Sequence, residues 1–262
     1  MSHIVAVANQ KGGVAKTTTV ASIGAALSES GVRVLLVDLD PQACLTFSLG
    51  IDPDDIPLSV HDVLLGRVGI RLPIVSTEDG PDLLPATIDL AGAEVMLNTR
   101  AGRELVLKQE LLQVSDSYDV ILLDCSPSLG VLTLNALAAA DEVIVPLQCE
   151  TLSHRGVGQL LDTIGEVRRV LNPALDLHGV LPTMFDSRTT HANAVLGDVS
   201  ERYNVAVLMP PIARSIRFAE APAVGRSVLS TAKGTPGAQA YREHAAALAI
   251  RAGIRPRLAV GE

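Results

Sequence analysis

The sequence predicts an α/β protein built on a mainly parallel, twisted sheet covered by helices on both faces. Short runs of Val, Ile and Leu alternate along the chain with longer stretches of helical pattern, the arrangement that sets strands side by side through crossover helices. The strand-like runs are apolar throughout rather than every second residue, so both of their faces must be covered. Composition points the same way: 48% of residues are hydrophobic but only 2% aromatic, with no Trp, so the core must be assembled from Val, Leu, Ile and Ala. A length of 262 residues suits one such unit. A single domain over 1–252 is expected, with 253–262 as a C-terminal tail.

The first strand is Ile4–Ala8, followed by a glycine-rich loop and a helix-compatible run from Thr19 to Ser28. Arg33–Asp38 is a buried strand between Gly31 and Pro41. Residues 50–86 are rich in Pro, Gly and Asp and read as loops, with a short helix near Ser59–Leu65 and a small strand at Leu83-Leu84. Helical stretches at 88–99 and 102–115 lead into a strand at Asp119–Asp124, which ends ahead of Pro127. Beyond it come a helix at 128–140, a strand at Glu142–Pro146, a helix at 154–171, a strand from Leu177 to Met184 and a helix at 190–203. A short last strand, Val205–Met209, is closed by Pro210-Pro211, and a final helix covers 236–252. The tail from Arg251 to Glu262 is expected to lack order.

Formal net charge is −8 and the isoelectric point near 5.2, which argues against a chain coated in nucleic-acid contacts but leaves room for a local basic patch. The three cysteines, Cys44, Cys125 and Cys149, stand far apart without a CxxC pair, so neither a disulfide framework nor a zinc site is expected. The six histidines show no metal-ligand spacing. The N-terminus enters a core strand directly, and no apolar run approaches a membrane span. A soluble, cytoplasmic protein is the expectation.

The most informative run is Asn9-Gln10-Lys11-Gly12-Gly13-Val14-Ala15-Lys16-Thr17-Thr18, set between a strand and a helix. Small residues let backbone N–H groups curl around phosphate oxygens, and a helix N-terminus adds partial positive charge. Lys16 is placed to reach the β- and γ-phosphates of a nucleotide, and the Thr17 hydroxyl to bind Mg²⁺. Lys11 is an extra cation that a standard phosphate-binding loop does not require. Asp38 and Asp40 end one strand and Asp124 another, and in open parallel sheets ligands sit at those carboxyl ends. Asp124 fits the position of an aspartate that holds Mg²⁺ through a water.

Lys-Gly-Gly-x-x-Lys-Thr-Thr resembles the deviant Walker A loop of the ParA/MinD family of ATPases. Asp38-Leu39-Asp40-Pro41-Gln42 is similar to the family's second motif, and Asp124-Cys125-Ser126-Pro127-Ser128-Leu129-Gly130 to its third. The runs Val145–Thr151, Thr183–Thr189 and Ser215–Pro222 resemble later segments of chromosomal ParA (Soj-type) proteins, so the likeness covers about residues 3 to 250. It implies a single P-loop NTPase domain with ATP and Mg²⁺ as cofactors, and Lys11, Lys16 and Asp40 as catalytic residues. The nucleotide would lie against Lys11, Gly12, Gly13, Val14, Ala15, Lys16, Thr17 and Thr18. Met184, Pro210, Pro211 and Ile212 would flank the adenine, and Asp38 would lie near Mg²⁺ with Thr17 and Asp124. Asp40 would orient the attacking water.

The resemblance further implies an ATP-bound homodimer in which Lys11 reaches the partner's nucleotide. Weak basal hydrolysis, sequence-independent DNA binding through Arg188 and Arg217, nucleoid association and a ParB-like stimulating partner follow from it. Two departures stand out: Ala15 replaces the usual Gly before the second lysine, and Ser126 replaces a proline. Other P-loop classes define the alternatives. A MinD-type membrane-positioned ATPase would need a basic amphipathic C-terminal helix, whereas the last helix here is alanine-rich. A metabolic enzyme such as a cobyrinate-type amidoligase would bind a small-molecule substrate.

Overall fold

The computed structural model describes residues 1–149 and 153–254. In chain order the elements are β1 (His3–Val7), α1 (Lys16–Glu29), β2 (Val34–Leu39), α2 (Cys44–Ser48), α3 (Val60–Leu64), β3 (Val75–Ser76), β4 (Asp82–Leu84), α4 (Leu90–Leu97), α5 (Val106–Leu112) and β5 (Val120–Cys125). They continue with α6 (Val131–Ala139), β6 (Glu142–Gln148), α7 (Ser153–Val170), β7 (Asp176–Thr183), α8 (Thr190–Tyr203), α9 (Arg217–Glu220), α10 (Val228–Thr231) and α11 (Pro236–Arg251). The strands form one seven-stranded sheet in the order β3-β4-β2-β5-β1-β6-β7. Among the described residues its pairings are parallel except that of β3 with β4.

The uniformly apolar strands sort their side chains onto two faces by the two-residue period of extended chain. Ala6, Leu35, Val37, Ile121 and Leu123 enter the core on one side, with α3 to α8. Val5, Val7, Val34, Leu36, Val120 and Leu122 enter the core on the other, beneath α1 and α11. The lack of large aromatics is met by close approach. A Cβ on Gly24 of α1 would lie 2.7 Å from a Leu36 methyl, so a larger residue there would force the Leu36 side chain to move or the helix to lift off β2. Tyr241 of α11 is the large buried exception, its hydroxyl 3.1 Å from Thr19 Oγ1.

Three local differences from the sequence reading have physical causes. Val205–Met209 is not a strand: Val207 forms an isolated parallel bridge with Val180, pairing is interrupted at Met209-Pro210-Pro211, and it resumes past the prolines, where Ile212 N–H donates to the Pro182 carbonyl and Ala213 bridges Phe185. The stretch just after Asp40-Pro41-Gln42, to which the sequence reading gave no element, contains α2, too short to show a helical period. The expected helix at 102–115 is shorter and opens with a 3-10 turn at Arg103–Leu105. Ser59 and Asp62 form a reciprocal capping box at the start of α3, a signal for the short helix expected there. Glu150 and Thr151 of the run after β6, and residues 255–262 of the tail, lie outside the described residues.

Candidate functional site

The glycine-rich loop is tied down at both shoulders. Asn9 Nδ2 donates to the Pro146 carbonyl at 2.7 Å, and Asn9 Oδ1 accepts the Lys11 N–H at 2.9 Å. Across the loop, Thr183 Oγ1 at the end of β7 donates to the Val14 carbonyl at 3.0 Å. The carboxyl ends of β1, β6 and β7 thus hold a rigid cradle. Gly13 has φ +73° with open space around its missing Cβ. Ala15, which precedes α1, sits at φ 65° and ψ 33°, the left-handed region that a residue with a Cβ enters at some strain. The first turn of α1 has no acidic residue and no side-chain cap, so its N–H groups and the positive end of its dipole are left for an anion.

Lys16 is 7% exposed, and its Nζ folds back to donate to the Lys11 carbonyl at 3.3 Å. Burial pulls its pKa below the ordinary lysine value, opposed first by the charge of Asp124 and also by that of Asp40. Asp38 and Asp124 are Cα partners across the β2–β5 pair, and both are buried. Desolvation pushes the Asp38 carboxyl up to about 6, and pushes Asp124 well above the usual carboxylate range, with the charge of Asp38 adding to the effect. By hydrogen-bond geometry neither carboxylate oxygen of Asp124 is paired, although the Thr17 side chain stands near enough to offset part of the rise in its pKa. Orphaned buried oxygens of this kind fit an oxygen-preferring cation such as Mg²⁺.

Asp38 has a different neighbourhood. Its Oδ2 accepts from both the N–H and the hydroxyl of Thr46, and its Oδ1 from the Asp40 N–H at 3.1 Å. Asp38 therefore anchors α2 and the Asp40 turn, a more committed position than proximity to a metal alone. Asp40 Oδ1 in turn accepts the Gln42 N–H at 3.0 Å.

A cleft of about 650 Å³ opens above these groups, lined on one side by Gly12, Gly13, Ala15, Lys16, Thr17, Thr18 and Asp40. Its far wall includes Met184 and Ile212 from the expected adenine segments. Pro210 and Pro211 are not on that wall, and the Pro210 carbonyl instead accepts from His244 Nε2 at 2.7 Å. Val14 is buried under the loop, and the Lys11 side chain is not among the cleft-lining groups. Sequence reasoning missed Cys44, Arg214, Ser215, Ile216 and Phe218, which also line the cleft. It missed Thr46 as well. Only the position of Cys44 and Thr46 just after Asp40-Pro41-Gln42 could have pointed to those two. Arg188 and Arg217 lie on adjoining exposed segments, described further below.

A strand–loop–helix cradle with a buried lysine at the helix start, and an unpartnered aspartate at a neighbouring strand end, defines a P-loop nucleoside triphosphatase. The comparisons place it more narrowly. Residues 2–177 match the model of the AAA domain family. Soj, the sporulation initiation inhibitor protein of Bacillus subtilis, is 43% identical over 92% of this chain and 96% of its own. The chromosome partitioning protein ParA of Caulobacter vibrioides is 43% identical over 91% of each chain. The chain belongs to this AAA domain family and, within it, to the ParA/MinD group of ATPases. Among solved structures, one described as cobyrinic acid a,c-diamide synthase from Mycobacterium smegmatis is 57% identical over the whole of both chains, with a TM-score of 0.87. Crystals of that protein contain ADP or an ATP analogue together with magnesium.

Proposed function

We propose that this chain is an ATP-driven dimerising switch that binds DNA without sequence preference and partitions or positions a chromosome, plasmid or other cargo. The observation that carries the reading is the division of labour between the loop's two lysines. Lys16 is folded into its own cleft, while the Lys11 side chain does not line that cleft. A lysine at this place suits delivery to the nucleotide of a second subunit, where a cation supplied in trans stabilises charge on the transferring phosphoryl group.

In this reading Lys16 binds the β- and γ-phosphates, with the N–H groups from Gly12 to Thr18 wrapping them. Thr17 and Asp124 would hold Mg²⁺, which neutralises phosphate charge when bound. Asp40 orients the attacking water, and Asp38 fixes the Asp40 turn through its N–H. Met184 and Ile212 flank the base. Basal turnover is expected well below the common enzyme range of ~1–10³ s⁻¹. Hydrolysis would reset the dimer, under the stimulus of a ParB-like partner. Light scattering with ATP·Mg²⁺ tests the switch: the wild-type protein should dimerise, Lys11→Ala should bind ATP yet stay monomeric, and a wild-type monomer at saturating ATP would sink the reading.

The description of the Mycobacterium smegmatis relative favours one second reading, ATP-dependent amidation of a cobyrinate-type carboxylate. The cleft would then have to hold a carboxylate substrate beside the nucleotide. Cobyrinic acid added with ATP, Mg²⁺ and either glutamine or ammonia distinguishes the two. Amide product with stoichiometric ADP supports the synthase, and its absence alongside ATP-dependent dimerisation supports the switch.

A further inference from the structure

The two arginines expected to meet DNA are each held by a carboxylate of their own segment. Arg188 donates Nε to Asp186 Oδ1 at 2.9 Å and Nη2 to Oδ2 at 2.8 Å. Its backbone N–H also reaches Asp186 Oδ1, at 3.1 Å. Arg217 Nη1 donates to Glu220 Oε2 at 2.8 Å. Both pairs stand in solvent, with the Arg188 side chain 87% and the Arg217 side chain 57% exposed.

The two segments are neighbours. Phe185 and Ala213 form a parallel bridge, and the Phe185 N–H donates to the Ile212 carbonyl at 2.9 Å. Arg214 lies between the pairs in sequence and structure. Its N–H donates to the Phe185 carbonyl at 3.4 Å, and its charge bears on Asp186. Hydrogen bonds from Arg188 hold the Asp186 carboxyl down to about 2.

We propose that Asp186 and Glu220 are built-in competitors for nucleic-acid phosphate, occupying the guanidinium faces that Arg188 and Arg217 offer to DNA and so setting how weakly the protein binds it. The proposal rests on the DNA-binding reading above. A carboxylate presents two oxygens in the fork that a guanidinium also uses for phosphate, and the Asp186–Arg188 pair is already bidentate in this way. Exposed pairs of this kind are weak, so the dense phosphates of a duplex can displace them. Until displaced, each ion pair presents no net charge to a duplex. That arrangement suits a protein with a net charge of −8 that must hold DNA loosely and let go. Arg214 is a third cation beside Asp186, and because it also lines the cleft, this surface and the proposed nucleotide site share an edge.

The test uses the full chain with a non-hydrolysable ATP analogue and Mg²⁺, and mobility shifts of a mixed-sequence duplex at several salt concentrations. Asp186→Asn with Glu220→Gln should tighten binding at low salt by about tenfold, the scale of a few weak exposed pairs removed. It should also steepen the fall of log affinity with log salt. The asparagine keeps an acceptor for the Arg188 N–H, and thermal unfolding checks that both variants stay folded. Adding Arg188→Ala and Arg217→Ala should erase the gain. Asp116→Asn, an exposed carboxylate ahead of β5 at the opposite end of the sheet, is the control for net charge; it removes one charge where the double variant removes two, and should change affinity less than about twofold, below the roughly threefold that a pure net-charge effect would give it.

If the wild-type protein binds and the double variant binds no tighter, or Asp116→Asn tightens binding equally, the competitor idea is wrong while the DNA-binding reading stands. Binding by the double variant alone would support the competitors in their strongest form. No binding by either at the lowest salt would overturn both.

Discussion

Thr46 donates both its backbone N–H and its hydroxyl to one carboxylate oxygen of Asp38, at 2.9 and 2.8 Å. The same hydroxyl accepts the N–H of Ala86, at 3.0 Å, so a single side chain joins the ends of β2 and β4 to the first turn of α2. All three residues are buried. Because Asp38 also receives the Asp40 N–H, the turn that carries the proposed water-orienting carboxylate is referenced to Thr46 at second hand.

Replacing Thr46 with Val keeps the shape and removes both hydroxyl bonds. It leaves a buried N–H and a buried carboxylate short of a partner, at a cost of about 2–4 kcal/mol. Urea unfolding should show that loss. The ATPase rate should fall while ATP affinity changes little, since the phosphate loop itself is untouched. Thr46→Ser should restore most of both. Unchanged stability in Thr46→Val would mean that the carboxyl is already protonated and needs no donors.

Ala15 offers a test of strain. Its φ of 65° places it in the left-handed region, at roughly 1 kcal/mol above a glycine in the same position. Ala15→Gly relieves that strain but gives the unfolded chain more freedom, worth roughly 0.5–1 kcal/mol in the other direction. Global stability should therefore barely change. ATP affinity should be equal or better, because the loop no longer resists the geometry in which its N–H groups face the phosphates. Ala15→Val, whose branched side chain disfavours left-handed backbone, should lose most binding. Calorimetry on both variants decides: a large loss in Ala15→Gly would show that the methyl group packs usefully.

The contrast between Ala15 and Thr46 explains how far the sequence could be read. Local chemistry was legible. A run of apolar residues ending in Asp38 or Asp124 is a strand end, and two lysines bracketing small residues before Thr17 form a phosphate loop, whatever the rest of the chain does. The two-faced burial of β1, β2 and β5 follows from the same runs. What stayed hidden depends on contacts distant in sequence. Thr183 holding Val14 spans 169 positions, and nothing in either local run announces it. Val205–Met209 has strand composition, yet only Val207 of it bridges β7, because the two prolines that follow have no N–H to donate and interrupt the ladder before it resumes at Ile212. Arg214 and Phe218 were hidden for the same reason: their segment has no periodic pattern, and only the fold brings it to the wall of the cleft.

Asp124 should show opposite effects on stability and function. Its two oxygens are buried without partners, and the charge of Asp38 stands nearby. Asp124→Asn removes that electrostatic burden, so the ligand-free protein should be as stable as the wild type or more so, by up to about 2 kcal/mol. The gain in melting temperature that the wild type shows with ATP·Mg²⁺ should be largely lost, because the proposed metal anchor is gone. Scanning calorimetry with and without ATP·Mg²⁺ measures both. A variant that keeps the full ligand-induced shift would remove Asp124 from the metal site.

The end of the sheet opposite the cleft predicts the acid sensitivity of the fold. Glu142, buried at the start of β6, accepts from His3 Nε2 at 2.7 Å, His178 Nδ1 at 2.8 Å and Arg251 Nε at 2.5 Å, and Arg251 also pairs with Asp176. Burial alone would raise the Glu142 pKa, but hydrogen bonds from His178, His3 and Arg251 outweigh it and hold the group far below its ordinary value of 4.5. A carboxylate with a depressed pKa contributes stability above its unfolded value and loses it as pH falls toward the folded one. The contribution should thus be full at neutral pH and fade progressively below about pH 4.5. Glu142→Gln leaves Arg251 without its counter-charge and removes an acceptor that His3 and His178 share, and should destabilise the protein at pH 7 by about 3 kcal/mol. Below pH 4 the gap to wild type should narrow, because Glu142 takes up a proton in the unfolded chain while the folded residue resists it. Arg251→Ala should give a smaller loss of the same pH dependence, because one of three donors is removed and α11 is freed only at its end. Urea melts from pH 3 to pH 8 measure the difference, and a Glu142→Gln penalty that stays constant across that range would show that the network stabilises by shape rather than by charge.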